Sequence, residues 1–168
     1  MNSTREVLLV EDNPADAYLI CEILDRESHS SHVTVTSDGC RAMSYLREHG
    51  ADSQSPDLLI LDLNLPVKDG RAVLSEVKSD PSLRKLPVVV FTTSKADSDI
   101  DRSYELGANS YVSKPGSLNE FVEAMEAISR FWLGPAVLPG RNERVATQPP
   151  GFATSHVLST VSRETTDT

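Results

Sequence analysis

The sequence predicts an α/β fold, a doubly wound parallel sheet of five strands flanked by five helices. Three observations carry that expectation. Short apolar runs alternate with longer amphipathic segments across residues 1–133, the pattern of parallel βαβ units. The runs are apolar at successive positions, as in strands buried on both faces. Helix start and stop signals bracket the amphipathic segments.

Val7–Val10 (VLLV) reads as the first strand. NPADAYLICEILDR follows as a helix, with Asn13 as N-cap, Pro14 at its first position, and Ala17, Ile20, Cys21 and Leu24 on its apolar face. His32–Thr36 (HVTVT) alternates like a half-buried strand, and SDGCRAMSYLREHG is a helix closed by Gly50. Leu58–Leu61 (LLIL) is the third strand, and GRAVLSEVKSD a helix stopped before Pro81. Val88–Phe91 (VVVF) is the fourth strand. SKADSDIDRSYELG is the fourth helix, with Ser94 and Asp97 at cap spacing and Gly107 at its end. Ser110–Val112 is the fifth strand. SLNEFVEAMEAISRFWL is the fifth helix, with Ser117 and Glu120 as a capping box and Leu118, Phe121, Val122, Met125 and Ile128 as its core stripe. After Leu133 the chain is rich in Pro, Gly, Ser and Thr, so residues 134–168 are expected to form a disordered tail with no folded output domain. Within it, Val157–Val161 could at most form a weak local element.

Composition narrows the function. The formal net charge is −9, which argues against binding nucleic acid, because phosphate contacts need a basic surface. No apolar run is long enough to span a bilayer and the N-terminus lacks a secretory pattern, so a cytoplasmic location is expected by default. Cys21 and Cys40 have no C-x-x-C spacing and read as reduced thiols, Cys21 as a small buried hydrophobe. His29 and His32 form an H-x-x-H with no other ligand types converging, and read as surface histidines.

The polar residues at the strand ends carry the chemistry. Glu11 and Asp12 end the first strand, Asp62 the third, and Thr92 and Thr93 the fourth; Lys114 follows the fifth. Right-handed crossovers bring these ends to one rim. Three carboxylates there repel one another unless a cation is held, and an all-oxygen set suits Mg²⁺, with Mn²⁺ as a substitute. With a cation bound, Asp62 can act as a nucleophile toward a phosphoryl group, with Lys114 and Thr92 taking phosphoryl oxygens. Taken singly, each has a plainer reading: Glu11 and Asp12 as partners of a helix dipole, Thr92 and Thr93 as strand-end hydroxyls, Lys114 as a loop lysine, Tyr111 as core packing.

The segments LLVEDN, LLILDLNLPVKDG, VVVFTTS and YVSKP, in that order and each at a strand end, resemble the signatures of two-component receiver domains (response regulators). The resemblance covers about residues 5–133. It implies a flavodoxin-like sheet of order 2-1-3-4-5, for which receivers are themselves a standard example. It implies that Asp62 is the phosphoacceptor, taking phosphate from the phosphohistidine of a histidine kinase, and that the protein is no enzyme beyond phosphotransfer onto and off itself. Asp12 would ligate Mg²⁺ directly, Glu11 mainly through water, together with Asp62 and the backbone carbonyl of Asn64. Thr92, beside Thr93, would bond the phosphoryl group, and Lys114 would pair with phosphate or Asp62. Tyr111 matches the switch aromatic that turns inward when Thr92 moves, and Pro66 and Gly70 shape the loop after Asp62.

A narrower resemblance concerns partners. ILDLNLPVKDGRAVLSEVKSD, RSYELGANSYVSKP and FWL look like the stand-alone receivers serving bacterial and cyanobacterial phytochrome-type kinases and related hybrid sensors. It implies a homodimer through the face of helix four, strand five and helix five, with Phe131, Trp132 and Leu133 as contacts. Three other readings stand beside it. A receiver-like binding module would never take phosphate. An aspartate-based phosphatase would want an acid two residues after Asp62, where this chain has Asn64. A flavodoxin would want a Ser/Thr/Gly-rich phosphate loop after the first strand.

Overall fold

Strands and helices alternate along the chain: β1 (Arg5–Val10), α1 (Pro14–Arg26), β2 (Ser31–Thr36), α2 (Gly39–His49), β3 (Leu58–Leu61), α3 (Gly70–Ser79), β4 (Val88–Thr92), α4 (Asp97–Glu105), β5 (Ser110–Ser113) and α5 (Leu118–Trp132). The computed structural model describes residues 4–26, 31–50 and 55–139. The five strands pair in parallel in the order β2-β1-β3-β4-β5. The direction of winding reverses between β1 and β3, so the switch point lies at their carboxyl ends.

Two cores explain why the central strands β1, β3 and β4 carry continuous apolar runs. Leu8, Val10, Leu59, Leu61, Val88 and Val90 face α2 and α3. Val7, Leu9, Leu58, Ile60, Val89 and Phe91 face α1 and α5. Each residue of Leu58–Leu61 is fully buried, worth about 1.5–3 kcal/mol per side chain relative to exposure. A one-residue slip of β3 would exchange its two faces, so the register Val10↔Leu61↔Val90 is firmly set. That register fixes the level at which Glu11, Asp62 and Thr92 leave the sheet.

The element predictions hold with local differences. Ser94 does not cap α4: the N-cap is Ala96, with no side-chain cap bond. The Ser94 hydroxyl instead donates to Asp99 Oδ2 at 2.6 Å, because Arg71 of α3 holds Asp99 there with bonds of 2.9 and 2.7 Å. Ser117 does cap α5, accepting from Glu120 N–H, while the Glu120 carboxylate takes the Ser117 hydroxyl at 2.8 Å. Leu118 leaves the predicted core stripe and is 65% exposed; it opens α5 a turn ahead of Phe121, where the core begins. Gly50 closes α2 in right-handed conformation, with φ −61°. Gly107, at φ 99°, makes the left-handed turn after α4.

Beyond α5, Leu133 and Leu138 are buried, and Ala136 N–H donates to Phe131 C=O at 3.1 Å. Residues 140–168, which include Val157–Val161 and most of the expected tail, lie outside the described residues, as does His29. His32 pairs with Glu6 at 2.8 Å on the exposed side of β2. Both cysteines are free thiols, Cys40 exposed and Cys21 half-buried. No described helix is long and apolar enough to cross a membrane.

Candidate functional site

The backbone of the β1, β3 and β4 ends sets the site before any side chain does. Glu11 N–H donates to Thr36 C=O and Asp62 N–H to Val10 C=O, both at 3.0 Å. Lys114 N–H donates to Thr92 C=O at 2.7 Å. Glu11 and Asp62 are thus the first residues beyond buried strands, Thr92 the last residue of one, and Lys114 the first beyond β5, so the sheet register sets their level.

The loop after Asp62 turns back under it. Gly70 N–H donates to Leu63 C=O at 2.8 Å, and a Cβ on Gly70 would stand 2.1 Å from Asp62 O and 2.6 Å from Leu63 Cα. Glycine is required there because the start of α3 crosses the backbone of Asp62. Pro66 and Val67 form the tip. Val67 holds φ 64° and is 85% exposed, and Lys68 N–H reaches Pro66 C=O at 2.7 Å across it.

The side chains converge. Carboxylate oxygens of Glu11, Asp12 and Asp62 lie within 4.8 Å of one another. Glu11 and Asp62 are buried and Asp12 is exposed at the mouth. Lys114, also buried, donates from Nζ to Glu11 Oε2 at 2.5 Å, Asp16 Oδ2 at 2.9 Å and Asp62 Oδ2 at 3.0 Å. Its ammonium stands 5.8 Å from the centroid of the Phe91 ring. The other Asp62 oxygen accepts from Asn64 N–H at 3.2 Å, and Glu11 Oε1 from Asn13 N–H at 2.9 Å.

Electrostatics follow from that packing. Burial pushes the Glu11 carboxyl up from its ordinary value, and the Lys114 bond offsets this only in part. Burial pulls Lys114 down, but hydrogen bonds to Glu11, Asp16 and Asp62 outweigh it and leave it well above the usual lysine range. Lys114 is therefore a permanent cation among acids. The donor set of three adjacent carboxylates, hard and negative, fits a divalent cation of the Mg²⁺ or Mn²⁺ kind.

The Thr92 hydroxyl is fully buried and has no hydrogen-bond partner among the described residues. A buried hydroxyl left unpaired costs on the order of 1–3 kcal/mol, so it marks a place for an acceptor. Thr93, next along, is exposed. Tyr111 does not reach Thr92. Its hydroxyl donates to Ser94 C=O at 3.0 Å, and burial pushes its pKa up.

The predicted residues Glu11, Asp12, Asp62, Thr92 and Lys114 thus meet at one rim, Asn64 borders it through its N–H, and Tyr111 stands on the adjacent β5 with its hydroxyl turned to the Ser94 carbonyl. Phe131, Trp132 and Leu133 are elsewhere, at the end of α5. Of these, Phe131 is exposed, Trp132 half-buried and Leu133 buried in the core. Asp16, absent from the sequence reading, joins the site through Lys114. Chemically, the rim offers a carboxylate nucleophile, a fixed cation, an unsatisfied hydroxyl and a donor set for a divalent ion.

Comparison with known proteins places this rim in context. A family model described as the response regulator receiver domain matches residues 7–126. The chain is 41% identical over 140 residues to the response regulator Rcp1 of Synechocystis sp. (strain ATCC 27184 / PCC 6803 / Kazusa), spanning 82% of this chain and 95% of that protein. The crystal structure of Rcp1 in its Mn(2+)-bound form superposes with TM-score 0.76, over 81% of this chain and 99% of the other. The phosphorylated cyanobacterial phytochrome response regulator RcpA is 45% identical, with TM-score 0.78, over 82% of this chain and all (100%) of the other. The receiver domain of the sensor histidine kinase PA1611 of Pseudomonas aeruginosa PAO1, with magnesium coordinated in its active-site cleft, is 29% identical, with TM-score 0.62, over 79% and 99%.

Proposed function

Because the chain belongs to the family of response regulator receiver domains, we propose that it accepts a phosphoryl group on Asp62 from a histidine kinase and signals through the resulting change of shape. The observation that carries this reading is the contact of Lys114 with Asp62 at 3.0 Å, beside a carboxylate cluster within 4.8 Å. In the transfer, the P–N bond of a phosphohistidine breaks as a P–O bond to Asp62 forms, and the released imidazole takes up a proton. Such transfers need mainly positioning and charge stabilisation.

Glu11, Asp12, Asp62 and the carbonyl of Asn64 would hold Mg²⁺, or Mn²⁺ in its place. When bound, the ion supplies neutralisation of charge between the attacking carboxylate and the phosphoryl oxygens. The chain's own residues do the rest. Lys114 offers a permanent ammonium to a phosphoryl oxygen. Thr92 offers the hydroxyl that now lacks an acceptor. Ser94, two residues on, is tied to Tyr111 through its carbonyl, so a move of Thr92 toward the phosphoryl group would release Tyr111 and carry the signal to the α4–β5 surface. Loss of the phosphoryl group by self-catalysed hydrolysis belongs to the same reading.

The likeness to RcpA, itself a phytochrome response regulator, supports a phytochrome-type kinase as the donor. The net charge of −9 supports a role without nucleic acid, and a cytoplasmic setting and a tail at residues 134–168 outside the receiver belong to the same reading. A homodimer through α4, β5 and α5 is supported by Phe131, 55% exposed, stacked edge-on against Trp132 at 5.2 Å. Gel filtration of Phe131→Glu tests it: a monomer is expected, and an unchanged dimer would remove the aromatic end from the interface.

The phosphoacceptor reading is tested with acetyl phosphate and Mg²⁺, followed by intact mass. An adduct of one phosphoryl group is expected, absent with a chelator and absent in Asp62→Asn. A folded wild-type protein that binds Mg²⁺ but gains no mass would instead be a phosphorylation-independent binding module.

A further inference from the structure

A lysine ammonium has three N–H donors, and Lys114 contacts three carboxylates: Glu11 at 2.5 Å, Asp16 at 2.9 Å and Asp62 at 3.0 Å. Glu11 and Asp62 belong to the group suited to a cation; Asp16 does not. Asp16 sits in the first turn of α1, one turn beyond Asp12. Its side chain is 27% exposed, against 2% for Glu11 and 7% for Asp62.

A phosphoryl group on Asp62 brings more negative charge and more acceptor oxygens to this ammonium. The Lys114 bond to Asp62 can pass to one phosphoryl oxygen on transfer, but with the other two donors engaged Lys114 can reach a second only by releasing Glu11 or Asp16. Glu11, at 2% exposure, has no water to turn to when released. Asp16 can turn to water instead. Before transfer, the same bond keeps the ammonium beside Asp62.

We propose that Asp16 is a positioning residue of this site: it steadies Lys114 beside Asp62 before transfer and competes with the phosphoryl group for that ammonium afterwards. The inference rests on Asp62 being the phosphoacceptor. It assigns Asp16 a cost to the phosphorylated state, so removing its charge should favour that state.

The test uses the full chain, Mg²⁺ and beryllofluoride, a tetrahedral mimic of a carboxylate-bound phosphoryl group, followed by ¹⁹F resonance. Asp16→Asn should half-saturate at roughly fivefold lower beryllofluoride than wild type, the order expected for one screened charge contact. For Mg²⁺ alone, by calorimetry, the same variant should bind no tighter, and at most about twofold weaker, having lost a distant negative charge. Asp16→Glu, which keeps the charge, should stay near wild type in both. The opposite signs separate positioning from a merely structural role, which would weaken both together. Unchanged or weaker beryllofluoride binding by Asp16→Asn overturns the inference while leaving the phosphoacceptor reading intact. Failure of wild type to bind beryllofluoride, or equal binding by Asp62→Asn, overturns that reading and the inference with it.

Discussion

Replacing Gly70 by alanine should damage the site more than the fold. The added Cβ would stand 2.1 Å from the carbonyl oxygen of Asp62, about 1.3 Å inside ordinary van der Waals contact. Its other close neighbours, Leu63 Cα at 2.6 Å and Asp62 C at 3.0 Å, are also backbone, so no side chain can rotate away. Helix propensity and unfolded-state entropy return at most about 1 kcal/mol. Overpacking against rigid atoms costs about 1–3 kcal/mol or more. The net expectation is a loss of about 1–2 kcal/mol in urea unfolding, with Asp62 pushed from its place. A displacement of about 1 Å at a reacting group costs on the order of a hundredfold in rate, so labling by acetyl phosphate should slow by that order. Gly116→Ala is the control. Nothing lies within 4 Å of its Cβ, so stability should stay within about 0.5 kcal/mol of wild type. A Gly70→Ala protein of full stability and undiminished labelling rate would refute the claim that this crossing sets Asp62.

Two further substitutions probe the loops around the site. Asp99→Asn removes the Arg71 pair and should cost about 1 kcal/mol, a modest figure because both side chains are partly in water. Arg71, with Ser94, holds the Asp99 carboxyl below its ordinary value of 3.8. Its contribution is therefore present above that pH and lost as pH falls through the lower folded value. In urea melts the gap between wild type and variant should be constant from about pH 6 to 8 and close below about pH 4; a gap that widens with acid would contradict the assignment. Val67→Gly should raise stability by up to about 1 kcal/mol, since a β-branched residue at positive φ is strained and Val67 is 85% exposed with little packing to lose. A less stable variant in the same melts would show that Val67 is held by contacts rather than strained.

Legibility in the sequence followed the range of the interaction. Leu58–Leu61 announces a buried strand, and Asp62 after it announces a rim residue, because both are set by neighbours in the chain. The order of strand-end motifs made Glu11, Asp12, Thr92 and Lys114 a set. Asp16 was hidden: an acidic residue in a first helical turn already has a local explanation in the helix dipole, and its partner is 98 residues away. Ser94 and Asp97 have the spacing of a cap, yet Arg71, brought over from α3, draws Asp99 to Ser94 instead. Leu118 fits the helical period but lies a turn ahead of the core. Gly70 reads as a turn glycine, while its strict requirement comes from the Asp62 carbonyl crossing behind it.

Asp62 as phosphoacceptor can be tested by chemical mapping of the labelled residue. An aspartyl phosphate is an acyl phosphate, which borohydride reduces to homoserine, whereas esters and phosphoramidates do not yield that product. Protein labelled with acetyl phosphate and Mg²⁺, reduced and digested, should carry homoserine at position 62 in the peptide containing LLILDLNLPVK. Homoserine at position 12, or a labelled protein with aspartate intact at 62, would contradict it.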